Sequence, residues 1–577
     1  MAAPATTQTP AAGAAILLAA PLLLWPALLN GYPLVFSDTG TYLSQAVHHY
    51  LGWDRPVFYS LFLLPLHLTL TTWPAIVVQA LLTAATLHLL RRALLPTVSP
   101  WWLLPLTGAL SIASALPWLA SQLMPDLFTG LLVLSLGLLA FTPSSLSRAE
   151  QVWLTGFTAF MIAAHQSHLL LVLILLPILL PFRRWLNPAT DRIVGNPGGW
   201  IVRLRRSIAV TYFRRDSLLN PITIASVLAC LALTTVNIVG HHRASVAPFS
   251  NVFLLARVIY DGPGMRALQR DCPQQRWRLC PYINEFPANA DLFLWRSDSP
   301  LALAGGAKLE STEANAILSA TLQAEPLVEL RAVLDNALRQ LSQFTTGAEL
   351  DPWSDSVTPW IMRDFPTFEV DTYLTARQTN DVLRLPNWLV ALHRATALIG
   401  VGLCGALLPI ALRRRPLVGA FLALVLIAVL INALVTGGLS GPHDRYQARV
   451  MWLPPLLAAL AIPALMIPAA NGNIPARSRV PTGSSAPDQR PAIPSYTSPL
   501  GRRRSASALR VRDLPRIRRA GRLAQPSPTA SRRPLPGNLK SPRKRLCCAH
   551  GRPAKPRHVA ARRALPSRRT QPRRCVA

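Results

Sequence analysis

The chain carries little charge for its length. Only 15% of its 577 residues are Asp, Glu, Lys or Arg, whereas 51% are hydrophobic, and the mean hydropathy is positive. A soluble domain typically has about 25% charged residues. The composition therefore argues against an ordinary soluble protein and predicts an all-α polytopic membrane protein.

Several motifs of soluble enzymes are also missing. The sequence has no Walker phosphate loop, no GxSxG nucleophile elbow, no HExxH zinc motif and no CxxC pair, so nucleotide-driven and triad-type hydrolase chemistry have no support. No Lys or Arg precedes the first apolar run, AAGAAILLAAPLLLWPALL. This run lacks the basic region of a secretory signal, and we predict that it is a retained first span.

The net charge of +32 is concentrated at one end of the chain. Residues 470–577 contain 27 Lys and Arg against two acidic residues, with frequent Pro and Ser. Such a segment cannot bury enough apolar surface to offset the entropy of ordering, so we predict a disordered basic tail. It is either a genuine tail that adheres to anionic lipid or an out-of-frame reading of GC-rich coding sequence. Nucleic-acid binding is disfavoured because no aromatic interleaving or binding module is present.

Apolar runs predict about ten transmembrane helices. A span needs about 20 apolar residues, and the runs that approach this are 13–30, 73–90, 98–118, 126–142, 152–166, 168–182, 218–240, 386–411, 416–436 and 448–469. The short segment 56–70 contains Pro and is predicted to be interfacial or re-entrant. Arg91-Arg92, Arg148, the Arg cluster at 183–215 and Arg413-Arg414-Arg415 lie in loops that are predicted to be cytoplasmic. Ten spans with a cytoplasmic N-terminus satisfy these assignments. The predicted location is a bacterial inner membrane, with the active face extracytoplasmic.

This topology divides the chain into four parts. They are transmembrane helices 1–7 (residues 1–240), an extracytoplasmic soluble insertion (241–385), helices 8–10 (386–469) and the tail (470–577). Apolar residues recur every three or four positions in EANAILSATLQ and PLVELRAVLDNALRQLSQF, so the insertion is predicted to be mainly helical. Cys272 and Cys280 lie close together in its polar segment RDCPQQRWRLCPY, and we predict a disulfide in an oxidising compartment.

Two acidic residues at outer span ends are the candidate catalytic groups. Asp38 lies in FSDTGTY and Asp126 in MPDLFTG. Either carboxylate can take a proton from an acceptor hydroxyl, and an ionisable group at a span end suggests function. The alternative for both is a structural role at a helix N-terminus, by capping or through the helix dipole.

Arginines and histidines on the same side form a candidate binding set. Arg445 and Arg449, in HDRYQAR, are one helical turn apart and can grip a phosphate, as can Arg55; the alternative is pairing with a neighbour or anchoring at lipid headgroups. His165 and His168 in HQSH are a weak metal signal, so we predict substrate contact. The metal is unknown and a divalent cation stays open. The complete predicted substrate-binding set is Arg55, Tyr42, His165, His168, His443, Arg445 and Arg449.

The layout resembles the polytopic GT-C superfamily of membrane glycosyltransferases. The resemblance rests on SDTGTY, DRPVFYSLFLLPLH, MPDLFTG and PHDRYQARVMWLPPLLAAL, and covers about 31–182 and 437–469. It implies transfer of a sugar from a polyprenyl-phosphate donor to an acceptor outside the cytoplasm. By position, Asp38 is then the first-loop acid, Asp126 the second outer-loop acid and Arg445 a contact for the lipid phosphate.

Two features depart from that family. Its usual first-loop acidic pair is missing, because Asp54 lies far from Asp38 along the chain. The insertion also precedes the eighth span instead of following the last one. The rival hypothesis is a non-enzymatic transporter, flippase or envelope-assembly scaffold, whose outer acids and arginines bind a ligand without catalysis. Transporters tend to place ionisable groups at the bilayer midplane, whereas here they cluster at outer span ends.

Overall fold

The fold is helical throughout residues 10–186 and 221–467, which are the residues that the structure, a computed structural model, describes. These residues contain no strand, only an isolated bridge between Leu34 and Gln122. The predicted tail at 470–577 lies outside the described residues.

The helices are numbered in chain order. Before the gap in the description they are α1 (Pro10–Ala19), α2 (Trp25–Asn30), α3 (Ser37–His48), α4 (Phe58–His67), α5 (Trp73–Leu94), α6 (Leu103–Ala113), α7 (Leu116–Ala120), α8 (Leu127–Phe141), α9 (Arg148–Ala164) and α10 (Gln166–Leu186). After it they are α11 (Pro221–His241), α12 (Ser250–Tyr260), α13 (Pro263–Gln275), α14 (Ala290–Trp295), α15 (Pro300–Leu303), α16 (Ala307–Ala324), α17 (Pro326–Ser342), α18 (Ser354–Asp364), α19 (Thr367–Thr375), α20 (Asn387–Arg414), α21 (Pro416–Ser440), α22 (Asp444–Met451) and α23 (Leu453–Met466).

Six helical segments of the described chain are long and apolar enough to cross a membrane. They are Pro10–Asn30, Trp73–Leu94, Pro221–His241, Asn387–Arg414, Pro416–Ser440 and Asp444–Met466. Each overlaps a run that the sequence predicts to span. The coarse prediction, an all-helical protein with several transmembrane helices, therefore agrees with the structure.

The other four predicted spans correspond to shorter or interrupted helices. The run 98–118 is divided near Ser114 into α6 and α7, and 126–142 becomes the 15-residue α8. The run 152–182 forms α9 and α10, which meet at His165. A 15-residue helix is only about 22 Å long, less than the roughly 30 Å of hydrocarbon, so ten crossings stay a prediction.

Helix α8 occupies the centre of the bundle, and every one of its residues is buried. Two glycines permit its close packing. A Cβ at Gly130 would come 2.4 Å from the ring of Trp452, and one at Gly137 would come 2.5 Å from the ring of Phe421. This packing fixes the position of Asp126, which directly precedes α8.

One glycine spacing, Gly400-Val-Gly-Leu-Cys-Gly405, has the form of a dinucleotide-binding motif. It lies inside α20, a candidate span, whereas the motif in dinucleotide-binding proteins joins a strand to a helix. A Cβ at Gly400 would come 2.5 Å from the backbone nitrogen of Pro455. The glycine therefore serves helix packing and carries no nucleotide signal.

The insertion is helical, as predicted, but only its first half has a core of its own. Helices α12 to α16 surround that core, and Cys272 and Cys280 are joined by the disulfide that the sequence predicts. The second half packs on the rest of the bundle: α17 lies along α21, a candidate span, and α18 lies on α3. A Cβ at Gly40 of α3 would come 1.8 Å from the carbonyl oxygen of Ser356. The insertion is thus continuous with the bundle.

Loops with the same predicted sidedness contact one another. Arg92, at the end of α5, forms an ion pair of 2.7 Å with Glu150 at the start of α9. Arg415, between α20 and α21, donates a hydrogen bond of 2.7 Å to the carbonyl oxygen of Ile467. These contacts involve loops predicted to be cytoplasmic. The predicted outer loops meet at the opposite ends of the same helices, where the candidate site lies.

We predict that Glu310 in the insertion makes stability depend on pH. Its side chain is fully buried, and neither carboxyl oxygen has a hydrogen-bond partner. Burial, with repulsion from Glu313, raises the pKa of Glu310 from 4.5 to about 8 despite the opposing charge of Arg278. Because the folded-state pKa exceeds the unfolded one, stability falls as the pH rises from about 4.5 towards about 8.

Glu310→Gln is therefore expected to raise the melting temperature by several degrees at pH 8 and to change it little at pH 5. Differential scanning fluorimetry of the full chain in detergent measures this, with Asp335→Asn, an exposed site, as the control. An equal shift at both pH values would show that the Glu310 carboxyl does not titrate as described.

Candidate functional site

Six charged side chains from separate parts of the chain converge at the predicted outer end of the bundle. We call them the charge cluster. They come from the first turn of α3, the loop before α4, the start of α8, the loop before α18, and α22: Asp38, Arg55, Asp126, Glu349, Arg445 and Arg449. Five of the six are residues that the sequence singles out.

Asp38 lies between two arginines. Its Oδ1 accepts a hydrogen bond of 2.6 Å from Arg55 Nη2, and its Oδ2 is 3.6 Å from Arg445 Nη1. Burial opposes the negative charge, but the two guanidinium groups outweigh it, and the pKa of Asp38 is lowered. Neither Ser37 nor Asp38 caps α3, since the cap bond is made by Thr39 Oγ1, which accepts from Phe36 N. The capping alternative for Asp38 is not what the structure shows.

Asp126 is buried behind Asp38 and faces both arginines of α22. Its Oδ1 is 3.4 Å from Arg449 Nη1, and its Oδ2 is 3.8 Å from Arg445 Nη1. Only 1% of Asp126 and 0% of Arg449 is exposed. Arg449 also donates to Ser167 Oγ at 2.9 Å and to Asn432 Oδ1 at 3.2 Å. Asp126 makes no side-chain cap bond to α8, so its role is to pair with these arginines.

Arg445 contacts all three acidic residues of the charge cluster. Besides Asp38 and Asp126, its Nε lies 3.5 Å from Glu349 Oε2, and the guanidinium sits 3.7 Å from the ring centre of Phe36. Its Nε and Nη1 have no hydrogen-bond partner. The ion pairs are therefore longer than charge-assisted hydrogen bonds, which are about 2.7–2.9 Å. Each of these nitrogens still faces a carboxylate, so an anionic ligand that reached Arg445 would compete with Asp38, Asp126 and Glu349 for it.

A cleft opens beside Arg445. Its cavity volume is small, about 60 Å³; the cleft is partly open to solvent and runs between the α7–α8 region and the loop before α18. Leu34, Trp118 and Leu350 contribute apolar wall, whereas Glu349 and Arg445 contribute charge. An apolar cleft with a few placed polar groups is the usual form of a small-molecule site. This one suits an amphiphile with an anionic group.

The fold brings Asp54 close to the first turns of α3, which carry Asp38 and Thr41. Its Oδ2 accepts a hydrogen bond of 3.4 Å from Thr41, and its carbonyl oxygen accepts one of 2.9 Å from Arg55 Nη1. Burial raises the pKa of Asp54; Arg55 opposes this and Asp38 reinforces it. Arg55 thus bonds to the carboxylate of Asp38 and to the backbone of its neighbour Asp54.

Three aromatic rings adjoin Arg55 and form what we call the aromatic face: Trp53, Phe253 and Trp295. The ring of Trp53 stacks at 5.6 Å on those of Phe253 and Trp295. The guanidinium of Arg55 lies 5.3 Å from the ring of Trp295, and 45% of Trp295 is exposed. Flat rings with an electron-rich face attract C–H groups and cations. None of these three aromatic residues is among the candidate site residues predicted from the sequence.

The two histidines of the HQSH turn differ in their surroundings. His165 Nε2 is 3.5 Å from Arg449 Nη1, at the edge of the cluster. His168 is buried behind it, with Nε2 bonded to Thr129 Oγ1 and Nδ1 to the carbonyl oxygen of Met161. Both ring nitrogens of His168 are therefore occupied, and it is poorly placed for the substrate contact predicted from the sequence.

His443 and Tyr42, the other two predicted binding residues, differ in their surroundings. His443 Nδ1 is 3.6 Å from Glu349, and its Nε2 is 4.0 Å from Asp291 of α14. The contact with Glu349 raises the pKa of His443 against the effect of burial, and Asp291 adds to it. Tyr42 is fully buried, and its hydroxyl has no hydrogen-bond partner.

A divalent cation does not fit the geometry of the charge cluster. No group of three or more His, Cys, Asp or Glu side chains within 10–186 and 221–467 is arranged to hold a metal ion. Asp38 and Asp126 both point at guanidinium groups. We therefore assign no step to a metal.

Sequence reasoning missed Glu349, Ser167 and Asn432. Glu349 comes from a loop, TTGAELDP, whose contacts depend on the fold of the whole insertion. Asn432 had a signal, because an amide inside the apolar run of α21 is costly unless it has a partner. Its partners are Arg449 and Gln447.

Comparison with protein-family models, with curated proteins and with solved structures gives no match to this chain. The function is therefore argued from the geometry of the site.

Proposed function

We propose that the protein is an integral membrane glycosyltransferase that transfers a sugar from a polyprenyl-phosphate donor to an acceptor on the extracytoplasmic side. One observation carries the proposal. Arg445 has two guanidinium nitrogens that make no hydrogen bond, borders a cleft with mostly apolar walls and lies within 4 Å of the carboxylates of Asp38 and Asp126. A site for a lipid phosphate beside a proton acceptor needs these elements.

The donor enters by the cleft. Its prenyl chain lies on the apolar wall, and its phosphate reaches the guanidinium of Arg445. During transfer the bond between the sugar and the phosphate oxygen breaks, and negative charge builds up on the departing lipid phosphate. Arg445, with Arg55 nearby, stabilises that charge in a water-poor site.

The acceptor approaches from the aromatic face, on the other side of Asp38. A sugar ring can stack on Trp295 and direct a hydroxyl towards Asp38, which takes the proton as the new glycosidic bond forms. A phosphate bound to Arg445 weakens the attraction that lowers the pKa of Asp38. Asp38 thus becomes a better base once the donor is bound, so the acceptor hydroxyl loses its proton only when the donor is in place.

The membrane arrangement that accompanies this proposal has ten spans in a bacterial inner membrane, with the charge cluster outside. Its support is that loops assigned to different sides of the membrane meet at opposite ends of the bundle. Loops predicted to be cytoplasmic contact one another, and loops predicted to be outside build the cluster.

A transporter or flippase is the second candidate. Arg449 and Gln447, both fully buried, contact Asn432 of α21, with Asn432 Nδ2 donating to Gln447 Oε1 at 2.8 Å. Buried polar groups between membrane helices often mark a transport path. The same cluster would then bind a lipid phosphate without cleaving it.

A radiolabelled polyprenyl-phosphate hexose in proteoliposomes distinguishes the two. We expect the full-length protein to release label from the lipid in the presence of a mixture of saccharide and lipid acceptors. Arg445→Gln is expected to lose most of this release, whereas Arg384→Gln, at an exposed ion pair with Asp381, is expected to keep it. Label that changes leaflet while the donor stays intact would establish the flippase instead.

A further inference from the structure

Helix α17 of the insertion lies against a membrane helix. Its contact with α21 is as extensive as that of any helix pair in the described chain. A Cβ at Gly437 of α21 would come 2.6 Å from the Cβ of Gln340 and 2.7 Å from the carbonyl oxygen of Asn336. The two backbones therefore approach closely at the outer end of α21, a candidate span.

The polarity of α17 is the reverse of that of a helix on a soluble domain. The residues it buries are all polar: Glu329, Asn336 and Gln340. Its exposed face carries four leucines spaced by three or four positions, which we call the leucine stripe: Leu327 (78% exposed), Leu330 (54%), Leu334 (49%) and Leu338 (65%). A helix that faces water buries its apolar side. This one presents it outward.

The buried polar residues have specific partners, so the orientation of α17 is fixed. Glu329 forms an ion pair with Arg257 of α12, and Asn336 donates a hydrogen bond of 2.8 Å to Asp261 Oδ2. Gln340 donates to the carbonyl oxygen of His443 at 2.7 Å and accepts from its N–H at 3.0 Å. Rotation of the helix to bury the leucines would break these bonds.

We propose that the leucine stripe lies against lipid acyl chains, in the leaflet at the charge-cluster end of the bundle. The surface continues onto α21, where Leu430 and Leu434 are 57% and 37% exposed on a candidate span. Arg331 and Asp335, exposed and 3.6 Å apart, border the stripe and can reach the headgroups. An amphipathic helix of this kind rests at the membrane interface.

This inference does not depend on the proposed enzyme activity. It means that the second half of the insertion is anchored in the membrane, and it modifies the sequence prediction of a wholly soluble domain. Because α17 also bonds to His443 through Gln340, the anchored helix supports the loop that leads to Arg445.

Site-directed spin labelling tests the proposal. Single cysteines replace each leucine of the stripe, and Arg331 and Asp335 as controls, in the full chain with its five cysteines outside the disulfide changed to serine. In liposomes we expect the four stripe positions to be accessible to oxygen and shielded from a water-soluble nickel chelate. The two control positions should be reached better by the chelate.

Two outcomes would overturn the proposal. Chelate accessibility at the stripe equal to that at Arg331 and Asp335 would show that the leucines face water. Low accessibility to both reagents would show that protein covers them, such as a second copy of the chain.

Discussion

Asp38→Asn is expected to lower the kcat of sugar transfer by about 10²–10⁴, the usual contribution of a general base. Asparagine keeps the size of the side chain and an oxygen for Arg55, but it cannot take a proton. Because the donor contacts Arg445 and the cleft, its KM should change much less than kcat. The measurement is initial transfer rate against donor concentration for the full-length protein in proteoliposomes.

Two variants control this result. Asp381→Asn removes an acid from an exposed pair with Arg384 and should leave transfer unchanged. Asp54→Asn removes the neighbouring acid, whose pKa is raised by burial, and should reduce the rate less than Asp38→Asn does. A larger loss with Asp54→Asn would move the proton acceptor to Asp54.

Asp126→Ala is expected to destabilise the folded protein by about 3–5 kcal/mol, the cost of leaving one partner of a buried ion pair alone. Arg449 is fully buried, and Asp126 is its carboxylate partner in the described chain. With the aspartate gone, the guanidinium keeps only neutral partners such as Ser167 and Asn432. Equilibrium unfolding in mixed micelles measures the change.

The double variant Asp126→Ala/Arg449→Met identifies the cause. Methionine removes the charge while retaining much of the side-chain volume, so the double variant should recover more than half of the stability lost in Asp126→Ala. The single variant Arg449→Met completes the comparison. If the stability lost in the double variant equals the sum of the losses in the two single variants, the sites do not interact, and the described pairing of Asp126 with Arg449 is wrong.

The sequence was sufficient for those features that depend on local pattern. Apolar run length located six candidate spans, three- and four-residue spacing located α16 and α17, and Arg placement grouped the loops. Asp38, Asp126, Arg55, Arg445 and Arg449 were identified because charge at span ends is costly and stands out. The structure brings these five residues together in the charge cluster, while their catalytic and binding roles stay predictions.

Other features arise only from tertiary packing. The pairing of Asp38 with Arg55, and the hydrogen bond from Thr41 to Asp54, depend on how the first loop closes. Glu349 reaches Arg445 through an insertion loop that has no periodicity. The length of α8 matches the apolar run 126–142, but only the fold shows that every residue of this helix is buried inside the bundle. Periodicity located α17, but only its partners show that its polar side is the buried one.

The central claim is that the charge cluster binds a polyprenyl phosphate. Native mass spectrometry of the full-length protein, released from its own membrane, tests it most directly. The account predicts a co-purifying polyprenyl phosphate or its sugar adduct, lost in Arg445→Gln and retained in Arg384→Gln. Bulk phospholipid alone, in equal amounts in all three proteins, would contradict it and leave the cluster as a structural ion-pair network.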